Sequence, residues 1–184
     1  MSFIRSIALG LLVAASSAAF AQAGGAASAV AGYRELPWDE LVPAGWDPAK
    51  EFREMDLGVM SDADPRAMDM LRRMREVWDK APTNPALNGA AVRIPGYVVP
   101  LEETKAGMKE FLLVPYFGAC IHTPPPPANQ IVHVVMPRAR KGMQSMDTVW
   151  VSGKLKTAAS DTAMGVSGYR MEAVTVEPYV EKRR

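Results

Sequence analysis

Val92-Arg-Ile-Pro-Gly96-Tyr-Val-Val-Pro100-Leu101 alternates apolar side chains and runs them into a glycine, and Val149-Trp-Val-Ser-Gly153-Lys154 repeats the device. Side chains along a strand alternate between two faces, so an apolar period of two marks a strand with one face in a core. A glycine inside such a strand permits the coiling or bulge that a small closed barrel requires. Three further runs read the same way: Phe111 to Tyr116, Ile131 to Met136 and Tyr169 to Val176, with Val92 to Leu101 and Thr148 to Leu155 completing five. Gly, Pro, Asn and Asp fill the turns between them. Five such strands predict a five-stranded antiparallel barrel of the OB type, or a strongly coiled sheet. Val92, Ile94, Val114, Val134, Val149 and Val151 are its expected core.

Upstream of the strands the period changes. Ser61-Asp-Ala-Asp64-Pro65 offers capping side chains and a proline suited to the first helical turn. Met68, Leu71, Met74 and Trp78 then recur at spacings of three and four, which predicts a helix from Pro65 to about Trp78. A stripe of Met, Leu and Trp at this spacing reads as core and not as a set of copper ligands. The fold class is therefore mainly β with one N-terminal amphipathic helix. Leu36-Pro-Trp38-Asp-Glu-Leu41-Val-Pro43, with Trp46 close behind, reads as an arm packed on that core.

The first residues set the compartment. Arg5 precedes an apolar run from Ile7 to Ala15, and Ala19-Phe20-Ala21 and Ala21-Gln22-Ala23 both read as cleavage sites. The run is too short to span a bilayer comfortably, so residues 1–23 read as a secretory signal peptide with cleavage after Ala21 or Ala23. Residues 24–35 are Ala/Gly/Ser-rich and read as a flexible leader. Residues 36–184 form a single expected domain, with the arm and helix in 36–88 and the barrel-like core in 89–180. The expected location is periplasmic, with no stable membrane insertion of the mature chain. Lys and Arg number 21 against 20 Asp and Glu. Removing Arg5 leaves 21 − 1 − 20 = 0. A neutral protein has no long-range attraction for a polyanion, which sets nucleic acid aside.

All thiol and imidazole chemistry falls in one window. Tyr116-Phe-Gly-Ala-Cys120-Ile-His122-Thr-Pro-Pro-Pro-Pro127-Ala-Asn-Gln130 holds the only cysteine, and His122 and His133 are the only histidines. A lone cysteine in an oxidising compartment is buried, metal-bound or kept for reactivity. A hairpin centred near Pro126 gives an index sum of about 252, which sets Cys120 opposite Val132 or His133. Cys120, His122 and His133 then converge as S, N and N ligands for zinc or copper. In a second reading Cys120 is a nucleophile with His122 as its base. In a third, Cys120 and His133 are simply packed, and Asn129 and Gln130 satisfy loop backbone groups. Pro124 to Pro127 reads as a rigid polyproline loop.

The segment from Val92 to Glu102, and the segment from Phe111 through Gly-Ala-Cys120-Ile-His-Thr-Pro-Pro-Pro-Pro to Gln130, closely resemble an uncharacterised group of small exported bacterial proteins, catalogued only as a domain of unknown function. Trp38-Asp-Glu-Leu-Val-Pro43 shares the likeness, which covers most of the mature chain. The resemblance implies membership and export, and no established activity. Its association with transporter components that handle metals implies a metal-binding accessory protein supplying a membrane transporter. A Cys-His envelope enzyme and a structural or interaction module with Cys120 buried are the alternatives.

Overall fold

The computed structural model describes residues 32–47, 50, 65–120 and 125–180, with the side chain of Glu103 excepted. The signal peptide, most of the leader, the helix-capping segment before Pro65, and His122 lie outside the described residues. The chain forms β1 (Arg34–Glu35), a 3-10 turn at Trp38–Leu41, α1 (Pro65–Asp79), a 3-10 turn at Pro85–Leu87, β2 (Ala91–Thr104) and β3 (Gly107–Val114). A 3-10 turn at Ala128–Gln130, β4 (Val132–Arg140), β5 (Thr148–Thr162) and β6 (Gly165–Pro178) follow.

All five expected strands are present. They run in the order β2-β3-β4-β6-β5, and β5 pairs back onto β2, so the sheet closes into a barrel. The closure turns on β2. Its first half, Ala91 to Tyr97, pairs with β5, and its second half, Tyr97 to Thr104, pairs with β3. Tyr97 belongs to both ladders, opposite Thr148 on one side and Val114 on the other. A strand that changes partners along its length must coil sharply. A Cβ at Gly96 would sit 2.8 Å from the Val114 carbonyl oxygen, and one at Gly153 2.3 Å from that of Glu172. Both glycines are therefore close-approach positions, and Gly153 lies at a register shift in the β5–β6 ladder.

The barrel is mixed, where the sequence reading made it antiparallel. β4 and β6 run parallel, pairing Val132 with Tyr169 through Val135 with Glu172. Hairpin logic sees only strands adjacent in sequence, and β4 and β6 are separated by β5. The short β1 also pairs parallel, Arg34 with Val92 and Glu35 with Arg93. The last two residues of the segment read as leader thus join the sheet.

Val92, Ile94, Val134, Val149 and Val151 are buried in the interior cluster with Phe111, Leu113, Tyr169 and Met171. Val114 is buried as well, but in a second cluster with Val99, Leu112, Ala119 and Ile131. The arm seals the interior cluster. Leu36 and Leu41 are buried in it, the Leu36 N–H donates to the Arg93 carbonyl at 2.8 Å, and Trp38 Nε1 donates to the Pro95 carbonyl at 2.7 Å. Tyr169 locks the arm from inside. Its hydroxyl donates to the Leu41 carbonyl at 2.6 Å and accepts from the Asn84 N–H at 2.6 Å. Burial pushes the phenol's pKa up, so it remains a donor.

The helix forms where its spacing placed it, but it follows β1 and the arm and is not the first element. Its stripe is not core. No residue of α1 is buried, and Met68 and Leu71 are 60% and 46% exposed. Met68, Leu71, Met74 and Trp78 instead line an open groove of about 340 Å³ that Pro125 borders. The barrel interior is already filled by strand side chains, so the helix has no interior left to enter.

Two substitutions test this account. Gly153→Ala drives a methyl into the Glu172 carbonyl and is expected to destabilise by about 1–3 kcal/mol. Tyr169→Phe strands a buried carbonyl and an N–H and is expected to cost a similar amount, about 1–3 kcal/mol. Chemical denaturation of both variants beside the parent protein gives the two values, and an unchanged midpoint in either would remove the corresponding claim.

Candidate functional site

The Cys120 turn begins where β3 stops. Gly118 takes φ +84° and Cys120 φ +65°, so the backbone leaves the extended conformation before reaching the cysteine. The hairpin register differs from the expected one for this reason. Leu112 pairs with His133 and Leu113 with Val132, an index sum of 245 in place of 252. Cys120 therefore lies beyond the ladder, opposite neither Val132 nor His133.

Only two non-glycine residues among those described have a left-handed backbone, Cys120 and Met146, each at φ 65°. That conformation costs an ordinary L-residue roughly 1 kcal/mol. The two strained turns meet. The Gly118 N–H points to the Met146 sulfur at 3.2 Å. The Met146 turn is itself pinned to β2, with the Met146 N–H donating to the Val98 carbonyl at 2.8 Å and the Val98 N–H donating to the Asp147 carbonyl at 3.0 Å. Cys120, Met146, Met164, Tyr97 and Leu101 all pack on the Val99, Leu112, Val114, Ala119 and Ile131 cluster. The thiol is free and half-buried. Desolvation pushes its pKa up to about 11. Phe117 stands beside this turn, 66% exposed, with its ring edge-on to Tyr97 at 5.9 Å.

His133 sits on the same side of the wall. Directly opposed residues of an antiparallel pair share a face, and its partner Leu112 belongs to the cluster on which Cys120 packs. His133 is 6% exposed and both its ring nitrogens are engaged. Nε2 lies 2.9 Å from Glu110 Oε2. Nδ1 lies 3.2 Å from Ser160 Oγ and 3.2 Å from Arg170 Nη1. A guanidinium can only donate, so Nδ1 carries the lone pair and Nε2 carries the proton. Glu110 then accepts from Nε2–H.

Cys120 and His133 thus share a face of the barrel, while His122 lies outside the described residues. Among the described residues, no three His, Cys, Asp or Glu side chains gather as a metal cage. Asn129 and Gln130 bind backbone as one reading had it, but that backbone belongs to the segment after α1 and to the arm. Asn129 Nδ2 donates to the Pro82 carbonyl at 3.0 Å and Gln130 Nε2 to the Trp38 carbonyl at 2.8 Å. Sequence reasoning missed Met146, Glu110, Ser160 and Arg170. Glu110 lies one step from the expected β3 and, once the register is known, faces His133; Ser160 and Arg170 reach it only through the parallel β4–β6 pairing.

The family model described as "Protein of unknown function (DUF3299)" matches residues 38–178. No curated protein matches the chain. Among solved structures, the crystal structure of a DUF3299 family protein from Pseudomonas aeruginosa is similar, with 35% identity and a TM-score of 0.65. The match covers 82% of this chain and 99% of that one.

A thiol near 11 has about a hundredfold less thiolate at neutral pH than one at 9. Iodoacetamide should therefore modify Cys120 slowly at pH 7 in metal-free protein, and faster with each unit of pH up to about 11. Rapid labelling at pH 7, equal to that of the unfolded chain, would show the thiol is not desolvated.

Proposed function

The chain belongs to the DUF3299 family, which is described only as proteins of unknown function, and from its own side chains we propose that it is a periplasmic accessory protein that holds a soft metal ion for a membrane transporter component. The ion is copper(I) or zinc, and it sits at the Cys120 turn on the outer face of the barrel. Cys120 and His122 are the principal ligands.

The observation that carries this reading is the Met146 sulfur beside the Cys120 turn. A thiol, an imidazole and a thioether together make a soft donor set, and thioethers favour copper(I) over zinc. Two sulfur-bearing residues in adjacent strained turns are also what a functional site can hold at a cost in stability. Met164, packed on the same cluster, provides a further thioether nearby.

His133 is arranged as a ligating imidazole usually is, with one ring N–H donating to a carboxylate. The place an ion would take at Nδ1 is held by Arg170 and Ser160. His133 joins the site only by exchanging those two contacts for the metal. The remaining ligand position then lies open to solvent or to a receiving partner, as a carrier that must release its cargo requires.

The thiol-dependent enzyme is the weaker reading on chemical grounds. It needs thiolate near neutral pH, and burial moves the Cys120 thiol in the other direction. A metal supplies its own positive charge and drives the same thiol to ionise, with release of a proton. Binding should therefore weaken as pH falls.

Isothermal titration of tag-free, metal-free protein with copper(I) under anaerobic conditions, and separately with zinc, tests the reading. One equivalent of copper(I) should bind. Cys120→Ser should abolish uptake, and Met146→Leu should weaken copper(I) by about tenfold or more while changing zinc little. Unchanged uptake in Cys120→Ser would overturn the proposal, and uptake of zinc alone would remove the role given to Met146.

A further inference from the structure

The barrel leaves the apolar stripe of α1 outside its core. Met68, Leu71, Met74 and Trp78 line the groove of about 340 Å³, and Pro125 borders it. A contiguous apolar group at the surface marks a place where something binds. Its shape bears on what that is. The stripe runs ten residues from Met68 to Trp78, about 15 Å along a helix, which is the length of an extended alkyl chain of about twelve carbons. Two of its four helical side chains are methionines, unbranched and polarisable, which adapt to a chain without a fixed outline.

The volume falls at the small end of the range for small-molecule sites, about 300–1,000 Å³. A stable protein partner needs about 1,200 Å² of total buried surface or more, which one stripe of four side chains does not supply.

The charges on α1 give the ligand its sign. Arg72 is clamped between Asp69 and Glu76, at 2.5 and 2.6 Å, and Arg73 is held by Asp69 at 2.8 Å. Arg75 belongs to none of these pairs. It follows Leu71 by four residues and precedes Trp78 by three, so it stands on their side of the helix, and it lines the groove. Asp79, one turn on, also lines it. Burial holds that carboxyl above its usual range, and the pull of Arg75 offsets this only in part. The groove therefore joins an apolar trough to a guanidinium that no carboxylate of α1 has claimed.

We propose that the α1 groove binds a medium-chain fatty acid, its alkyl chain along Met68, Leu71, Met74 and Trp78 and its carboxylate on Arg75. A guanidinium fork matches a carboxylate with two parallel hydrogen bonds, and the chain removes the exposed stripe from water. The inference uses no residue of the metal reading and stands apart from it.

The test is isothermal titration of the full-length, metal-free protein with dodecanoate, hexanoate and dodecyltrimethylammonium. Dodecanoate should bind with one equivalent. Hexanoate should bind at least about tenfold more weakly, because it covers half the stripe, and dodecyltrimethylammonium at least about tenfold more weakly, because it meets a like charge. Arg75→Gln should weaken dodecanoate about tenfold or more and leave the ammonium no weaker than before. Leu71→Asp should abolish binding of both. Both side chains are exposed, so both variants should fold, and a thermal melt checks this. No uptake of dodecanoate by the parent protein would overturn the proposal, as would equal affinity for dodecanoate in Arg75→Gln. A dimer by light scattering that Leu71→Asp dissociates would also overturn it, and would assign the groove to a second copy of the chain.

Discussion

Everything in this molecule depends on β2 serving two neighbours. A sheet closes only if its first strand can reach its last, and here one strand supplies both edges, handing over from β5 to β3 at Tyr97. The interior cluster, the sealing arm and the outward-facing sites all assume that closure. It rests on two places where no side chain fits, Gly96 and Gly153. The energetic gain is the burial of the valine, leucine and aromatic side chains of five strands, at about 25 cal/mol per Å² of apolar surface removed from water.

Closure also explains why the chemistry lies outside. A barrel this small is filled by its own side chains, so the interior has no room for a ligand. Polar and sulfur groups are pushed to the outer wall and to the turns. The wall then offers two distinct environments. Around Cys120 it is apolar and rich in sulfur, and the thiol is driven towards its neutral form. Around His133 it is polar and crowded with charge, and every ring nitrogen is bound. These environments lie on one face because Leu112 contributes to the apolar cluster while standing opposite His133.

The strands were legible in the sequence because period two and the embedded glycines are local signals. The helix was legible for the same reason. What local signals could not carry was relative placement. The parallel β4–β6 pair arises from a crossover, and nothing near Val132 or Tyr169 announces it. The methionine stripe on α1 has the spacing of a core helix, but whether such a stripe is covered depends on space that the strands had already taken. At the Cys120 window the residue types were plain. Their geometry depended on a turn in which Gly118 and Cys120 both take positive φ, and a register drawn from loop length assumes extended backbone up to the bend. Met146 was invisible at that stage because it is distant in sequence and reaches the turn through a hydrogen bond from Gly118.

The Tyr169 hydroxyl ties the fold's ends together in time as well as in space. It belongs to the final strand, and it holds Leu41 and Asn84, which the ribosome makes long before it. Leu36 and Leu41 bury themselves in a cluster whose walls include Met171 and Ala173. Synthesised early, these leucines have no finished surface to cover until β6 is in place. Contacts of such sequence separation delay folding, because a long loop must close before they form. The arm's burial is therefore complete only with β6 in place, and a chain cut short before β6 would lack part of the surface that covers its two sealing leucines.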